Sequence, residues 1–183
     1  MKLRSLSYFC RPLPLAVLLI VGALSAAGTA QAEPNPYRMV ETWAKLPAGR
    51  TMGAVGDLAM DPDGLHLWAI VRCTADEPER FGNECLDSTL DPILKFDLQG
   101  NVVQSFGGGL FIWPHGLDVD RNGNVWVTDG VAAKKTPPGK RGHQVVKLSP
   151  AGEVLLTLGV PGEPGADSTH LNSPSDVVVA PNG

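Results

Sequence analysis

The chain has 183 residues, and its 15 basic and 19 acidic residues give a formal net charge of −4 at pH 7. This balance argues against nucleic acid and anionic membrane surfaces as partners, because both repel a negatively charged protein. The 21 glycines and 16 prolines fit an all-β chain with many turns.

The first 32 residues are predicted to be a signal peptide. Three basic residues precede or border an apolar stretch at residues 13–27, and A-Q-A at residues 30–32 is a small-x-small cleavage site. The apolar stretch is short for a membrane span. We therefore expect an exported protein, periplasmic or secreted, with no membrane contact once residues 1–32 are removed. An uncleaved anchor is the alternative.

Two cysteines, Cys73 and Cys85, follow the signal peptide and flank a polar loop. In an exported chain this spacing favours a disulfide between them, with two free thiols or a metal pair as alternatives. Residues 37–47 are ambiguous, and an outer strand is one interpretation of them.

Two interleaved repeats organise residues 33–183. The first repeat occurs three times, and its copies end in the turn glycines Gly64, Gly123 and Gly183. The second repeat occurs twice, at residues 93–107 and at residues 145–159. Each unit contains four short alternating strands, with a period of about 50 to 60 residues that is typical of a β-propeller blade. The sequence therefore predicts an all-β partial propeller of about two and a quarter blades.

The sequence stops after the turn that follows the first strand of a third unit. Two blades cannot close a ring, and an open ring leaves strand edges exposed. We therefore expect residues 33–183 to be the N-terminal part of a longer propeller, with assembly from partner copies as the alternative.

Several motifs occur in a fixed order along the chain. They are W-P-H-G-L at residues 113–117, G-N-V-W-V-T-D at residues 123–129, H-Q-V-V-K-L-S-P at residues 143–150 and P-S-D-V at residues 174–177. With these motifs the sequence resembles the peptidyl-α-hydroxyglycine α-amidating lyase family, whose propeller is of the NHL type.

The resemblance implies a six-bladed propeller that cleaves a peptidyl-α-hydroxyglycine into a peptide amide and glyoxylate. It implies a zinc ion held by three histidines, one of which is His115, and a structural calcium ion that takes the backbone carbonyls of Leu58 and Leu117. Arg72 occupies the place of an arginine that helps to bind or turn over the substrate. The implied partner is a peptide or another small N-acyl compound.

Each candidate also has a simpler interpretation. His115 could instead hydrogen-bond the backbone, and Arg72 could pair with an acid of residues 76–84. His143 and His170 are expected to be structural or surface residues. The family's other two zinc histidines and its catalytic tyrosine fall beyond Gly183, and one histidine cannot form the zinc site, so we expect this stretch alone to be inactive.

Two other functions remain open from the sequence. One is a non-enzymatic NHL-type propeller that binds peptide, protein or carbohydrate on one face, because a fold does not fix a function. The other is a different hydrolase or lactonase on a metal-bearing propeller. Two further axial histidines and a tyrosine would favour the lyase.

Overall fold

The computed structural model describes residues 34–74, 82, 84–131 and 141–182. The signal peptide predicted at residues 1–32 lies outside these residues, as do residues 132–140. By internal contacts the chain divides into two units, Met1–Met39 and Val40–Gly183. In the first unit, residues 34–39 are exposed, and the fold below is that of the second.

Eight strands form two four-stranded antiparallel sheets, each in the order of the sequence. The first sheet contains β1 (Val55–Met60), β2 (His66–Val71), β3 (Ile93–Asp97) and β4 (Val102–Phe106). The second contains β5 (Trp113–Val119), β6 (Val125–Gly130), β7 (Gln144–Leu148) and β8 (Val154–Leu158). The predicted all-β fold of four-stranded, blade-like units is confirmed, and the described residues contain no helix that could span a membrane.

Residues 174–180 were predicted to contain the first strand of a third unit, and the structure differs from that prediction. They form no strand within the described residues, because they have no ladder partner there. They nevertheless lie beside β5, where the N–H of Val179 donates to Asp118 Oδ2 at 2.6 Å. The third unit therefore begins next to the second, as expected, without a paired strand.

The core lies on both faces of the first sheet because side chains alternate along its strands. Trp68 and Ile70 of β2 face the second sheet and pack in a cluster with Phe111 and Val127. The intervening residues of β2 face the other way, where a second cluster is covered by Trp43, Ala44 and Leu46. Instead of a complete outer strand, this covering segment forms a single bridge between Lys45 and Asn101.

An Asp–Trp–Lys cluster ties the turn of the first sheet to its middle strands. Asp61 Oδ2 accepts a hydrogen bond from Trp68 Nε1 at 2.9 Å and pairs with Lys95 Nζ at 2.6 Å. The same ammonium group lies 5.1 Å from the centroid of the Trp68 ring. Partial burial would raise the pKa of Asp61, but the bonds from Lys95 and its neighbours lower that pKa to about 2.

The second sheet repeats this cluster one unit later. Asp120 Oδ2 accepts from Trp126 Nε1 at 3.3 Å and pairs with Lys147 Nζ at 3.1 Å, and Lys147 lies 4.8 Å from the Trp126 centroid. Hydrogen bonds from Asn124 and Lys147 outweigh partial burial and lower the pKa of Asp120. The same cluster of side chains therefore stabilises both four-stranded sheets.

Candidate functional site

The end of β2 meets the beginning of β5 at three side chains. Arg72 follows β2, and its Nε donates to the carbonyl of Pro114 at 3.1 Å. Its guanidinium carbon lies 4.9 Å from the centroid of the Trp113 ring. That ring in turn meets the imidazole of His115 edge-on, with 4.8 Å between centroids. The two candidate residues, which are 43 positions apart in the sequence, thus both contact one tryptophan ring.

The close approach of three chain segments depends on two glycines. A Cβ on Gly116 would lie 2.6 Å from the Cα of Asp176 and 2.8 Å from the carbonyl oxygen of Ser175. A Cβ on Gly56 would lie 2.8 Å from the carbonyl oxygen of His115. A side chain at Gly56 would therefore push β1 and β5 apart, and one at Gly116 would push β5 away from the segment that contains Ser175 and Asp176. This is the physical reason for glycine after P-H in the W-P-H-G-L motif.

His115 is held by one ring nitrogen. Its Nδ1 lies 2.9 Å from the carbonyl oxygen of Ser175, and because a carbonyl only accepts, Nδ1 carries the proton. In the neutral ring Nε2 then has its lone pair free, and it makes no hydrogen bond to a residue that the structure describes. Metal-binding histidines are oriented in this way by a second hydrogen bond. The backbone bond expected as the simpler role of His115 therefore coexists with a nitrogen suited to a metal.

Arg72 is also paired with Glu84, at 3.5 Å between Nη1 and Oε1. Only 8% of the Arg72 side chain and 9% of the Glu84 side chain are exposed. Burial lowers the pKa of Arg72, and Glu84 opposes that effect in part. The ion pair expected between Arg72 and an acid of residues 76–84 is thus present. Arg72 also contacts the Trp113 ring and the Pro114 carbonyl of the candidate site.

The structure joins Cys73 to Cys85 by a disulfide, the pairing favoured by their spacing, with 5.0 Å between the Cα atoms. Residues 75–81 and 83 of the intervening loop lie outside the described residues. Because Cys73 follows Arg72 and Cys85 follows Glu84, the disulfide links the stretches of chain that carry the two members of the ion pair.

Comparison with known proteins gives several similar sequences, although no family model matches. The chain is 32% identical over 142 residues, 73% of its length, to a probable peptidyl-alpha-hydroxyglycine alpha-amidating lyase of Caenorhabditis elegans. It is 46% identical over 144 residues, 71% of its length, to peptidyl-glycine alpha-amidating monooxygenase B of Xenopus laevis. Over 85 residues, 46% of its length, it is 36% identical to peptidyl-alpha-hydroxyglycine alpha-amidating lyase 2 of Drosophila melanogaster.

The chain belongs to the peptidyl-α-hydroxyglycine α-amidating lyase family. The matched region spans 37%, 15% and 18% of the length of these three relatives, respectively.

The zinc site of the amidating lyase family can be tested against the donors in this chain. Among residues 34–74, 82, 84–131 and 141–182, no group of three or more His, Cys, Asp or Glu side chains could hold a metal ion. His115 fits one ligand, because its Nδ1 is fixed and its Nε2 is available. A zinc site with three protein ligands needs donors from further residues, so zinc at His115 stays a prediction.

The expected calcium ligands, Leu58 and Leu117, occupy equivalent places in β1 and β5. Each follows a shift in strand register, the first between Val55 and Leu58 and the second between Pro114 and Leu117. Backbone carbonyls are ordinary calcium ligands, and two of them would supply part of a set of about six to eight oxygens. Calcium at these carbonyls stays a prediction as well.

Two residues of the G-N-V-W-V-T-D motif hold the W-P-H-G-L motif in place. Thr128 Oγ1 accepts from the N–H of Gly116 at 2.8 Å. Asp129, which is completely buried, accepts at Oδ1 from the N–H groups of Ile112 and Trp113 at 2.9 and 2.8 Å. The sequence analysis assigned no such supporting role to Asp129.

The other end of the Asp129 carboxylate accepts from the Gly142 N–H at 2.8 Å and from Gln144 Nε2 at 3.1 Å. Burial raises the pKa of Asp129, while the hydrogen bonds from Trp113 and its neighbours oppose that rise. Because the carboxylate links β5, β6 and β7, the motifs in these strands form one structural unit.

His143 and His170 have the structural and surface positions that were expected. His143 is buried, its Nδ1 accepts from the Ser173 N–H at 3.0 Å, and burial lowers its pKa. The side chain of His170 is 25% exposed, and its bond to Asp167 at 2.9 Å raises its pKa.

Proposed function

We propose that the protein carrying this chain is an exported, metal-dependent lyase that cleaves N-acyl- or peptidyl-α-hydroxyglycine into an amide and glyoxylate. The relatives named for this activity support the proposal through their similarity to the chain. The observation that carries it is the contact of both Arg72 and His115 with the ring of Trp113. That cluster combines a carboxylate-binding cation with a nitrogen suited to a metal.

The proposed reaction breaks the bond between the amide nitrogen and the α-carbon. The hydroxyl group loses its proton as its oxygen becomes the aldehyde oxygen of glyoxylate, and the amide nitrogen gains a proton as it leaves. The substrate therefore offers a carboxylate, a hydroxyl group and an amide to the site, and no oxidant or reductant is needed.

Arg72 would bind the substrate carboxylate. A guanidinium group presents a planar set of donors that matches a carboxylate in a two-point contact. Its Nε donates to the Pro114 carbonyl and its Nη1 pairs with Glu84, so a ligand would bind at the Nη2 side of the group. Trp113 packs against the cation and limits the water around it, which strengthens a charge-assisted bond at this place.

His115 would contribute one ligand of the zinc ion through Nε2. Zinc in such a site supplies Lewis acidity toward the hydroxyl or carboxylate oxygens of the substrate. The Ser175 carbonyl oxygen, which lies 2.9 Å from Nδ1, would orient the imidazole for this role. A calcium ion at the carbonyls of Leu58 and Leu117 would hold together the first strands of the two sheets.

Export is supported by the disulfide between Cys73 and Cys85, because such bonds persist mainly in oxidising compartments. It also agrees with the basic and apolar composition of residues 1–32.

The test is direct. The full-length protein is incubated with N-benzoyl-α-hydroxyglycine, and benzamide and glyoxylate are measured together. We expect the two products in equal amounts, loss of activity after treatment with a zinc chelator, and its return on addition of Zn²⁺. Absence of glyoxylate above the uncatalysed rate would reject the lyase and favour a non-enzymatic propeller that binds peptide, protein or carbohydrate.

A further inference from the structure

The two members of the buried ion pair are each followed directly by a half-cystine. Arg72 precedes Cys73, and Glu84 precedes Cys85. The disulfide holds the two Cα atoms of the cysteines 5.0 Å apart, and the ion pair beside it spans 3.5 Å. A covalent bond and an ionic contact therefore join the same two short stretches of chain.

Backbone hydrogen bonds anchor both stretches to the fold. The Arg72 N–H donates to the Ala54 carbonyl at 3.0 Å, and the Cys85 N–H donates to the Ile112 carbonyl at 3.0 Å. The Cys73 N–H points at Cys85 Sγ at 3.1 Å. Ile112 lies directly before β5, so the backbone bond from Cys85 brings Glu84 to the start of the strand that carries the candidate site, and the disulfide joins the same stretch to the end of β2.

The burial of Glu84 needs an explanation, because a carboxylate loses much hydration energy when it is removed from water. One of its oxygens contacts Arg72, and the other, Oε2, is buried without a hydrogen-bond partner among the residues that the structure describes. Arg72 is thus the one described residue that compensates the charge of Glu84. Arg72 itself has further contacts with Pro114 and Trp113.

We propose that Glu84 is a positioning residue for Arg72 and that the Cys73–Cys85 disulfide sets the place of Glu84. Glu84 fixes the direction of the guanidinium toward Trp113, and the disulfide prevents the loop from withdrawing the carboxylate. The inference rests on the proposed function only where it treats Arg72 as a contact of the substrate. Its structural part can be tested without any turnover.

Arg50, which precedes β1, provides a matched control beside the same sheet. It is also partly buried, and its two terminal nitrogens donate to the carbonyls of Asp91 and Val71 at 2.6 and 2.9 Å. Its hydrogen bonds go to backbone oxygens, so changes at Glu84 or the cysteines should leave it in place.

The experiment is labelling of the full-length protein with phenylglyoxal, which reacts with accessible guanidinium groups, followed by peptide mapping. The variants are Glu84→Ala, Glu84→Gln and the double change Cys73→Ser with Cys85→Ser. We expect Arg72 to react about tenfold faster in the alanine and double-serine variants, the equivalent of one lost charge-assisted hydrogen bond. In Glu84→Gln, which keeps an acceptor, the increase should be clearly smaller, and Arg50 should react at an unchanged rate throughout.

Equal labelling of Arg72 in the wild type and Glu84→Ala would overturn the proposal. Faster labelling of both arginines would overturn it too, because it would mean that the whole sheet loosens. If the labelling rate of Arg72 rose in Glu84→Ala but not in the double-serine variant, the role assigned to the disulfide would be wrong. Reduction of the wild-type protein with dithiothreitol should change the labelling rate of Arg72 in the same way as the double-serine variant.

Steady-state kinetics separate this inference from the proposed function. If the wild type releases glyoxylate, Glu84→Ala should raise KM more than it lowers kcat, since Arg72 binds the carboxylate, and Glu84→Gln should recover part of the loss. If the wild type releases none, the proposed function fails while the labelling still decides the role of Glu84.

Discussion

The carboxylate of Asp57 on β1 accepts a hydrogen bond from the backbone N–H of Leu117 on β5 at 2.9 Å. One unit later, Asp118 accepts from the N–H of Val179 at 2.6 Å. The other oxygen of each aspartate accepts from the N–H of the next residue, Leu58 or Val119, at 2.8 Å. The same side-chain bond therefore joins β1 to β5 and β5 to the segment at residues 174–180.

Replacing Asp57 with alanine should destabilise the protein by about 1.5 to 3 kcal/mol, because the backbone N–H of Leu117 loses a charged acceptor. Asp57→Asn should cost less, since its amide oxygen can still accept one of the two bonds. The measurement is urea unfolding of the full-length protein. Glu41→Ala, which removes an exposed carboxylate, is the control and should change the midpoint little.

The Asp61–Lys95 pair predicts a loss of stability in acid. The pKa of Asp61 is about 2 in the folded protein against 3.8 for the free group, so the unfolded state takes up its proton first as pH falls. The stabilisation is fully present above pH 4 and is lost as pH approaches 2, for a total of about 2 kcal/mol.

Urea unfolding between pH 5 and pH 2 measures this effect. Asp61→Asn should be less stable than the wild type at pH 5, and the difference should shrink toward pH 2. A difference that stays constant over this range would contradict the role given to the carboxylate charge.

His115→Ala should remove bound zinc and lyase activity together from the full-length protein, because Nε2 of this imidazole, whose Nδ1 is held by the Ser175 carbonyl, is the proposed ligand. Metal analysis and glyoxylate release are the two readouts. His170→Ala, which changes a histidine paired with Asp167 away from the cluster, should retain both. Retained zinc with full activity in His115→Ala would contradict the assignment.

Gly116→Ala should disturb the site through a steric clash. The added Cβ would meet the backbone of Asp176 at 2.6 Å, and separating the two segments costs about 1 to 3 kcal/mol. It should also weaken the His115–Ser175 contact and with it zinc affinity. Gly64→Ala is the control: its Cβ meets nothing within 4 Å, so only the strain of its φ of 68° remains, and zinc affinity should not change.

The sequence predicted the two sheets well because alternation and turn glycines are local signals. The strands around residues 121–124 and the Cys73–Cys85 pairing both follow from patterns within about twenty residues. The Asp–Trp–Lys clusters were missed because their members lie in a turn and on two different strands, and each residue alone resembles an ordinary turn or surface residue.

The candidate site was only partly predictable. The motifs singled out Arg72 and His115, and the possible ion pair of Arg72 was recognised, but its partner could not be chosen among the acids of the loop. The choice of Glu84 depends on the disulfide, which fixes the loop in space. The supporting role of Asp129 depends on how β5, β6 and β7 are placed together, which no local pattern contains.

The order of strands within each sheet affects how the chain folds during its synthesis. Each sheet is a simple meander in which every strand pairs with its neighbour in sequence, so its ladder can close before the following unit is synthesised. The link between units runs in one direction, with the earlier unit supplying the carboxylate and the later unit the N–H. A finished unit thus already presents the acceptor onto which the next unit docks, which favours folding from the N-terminus one unit at a time.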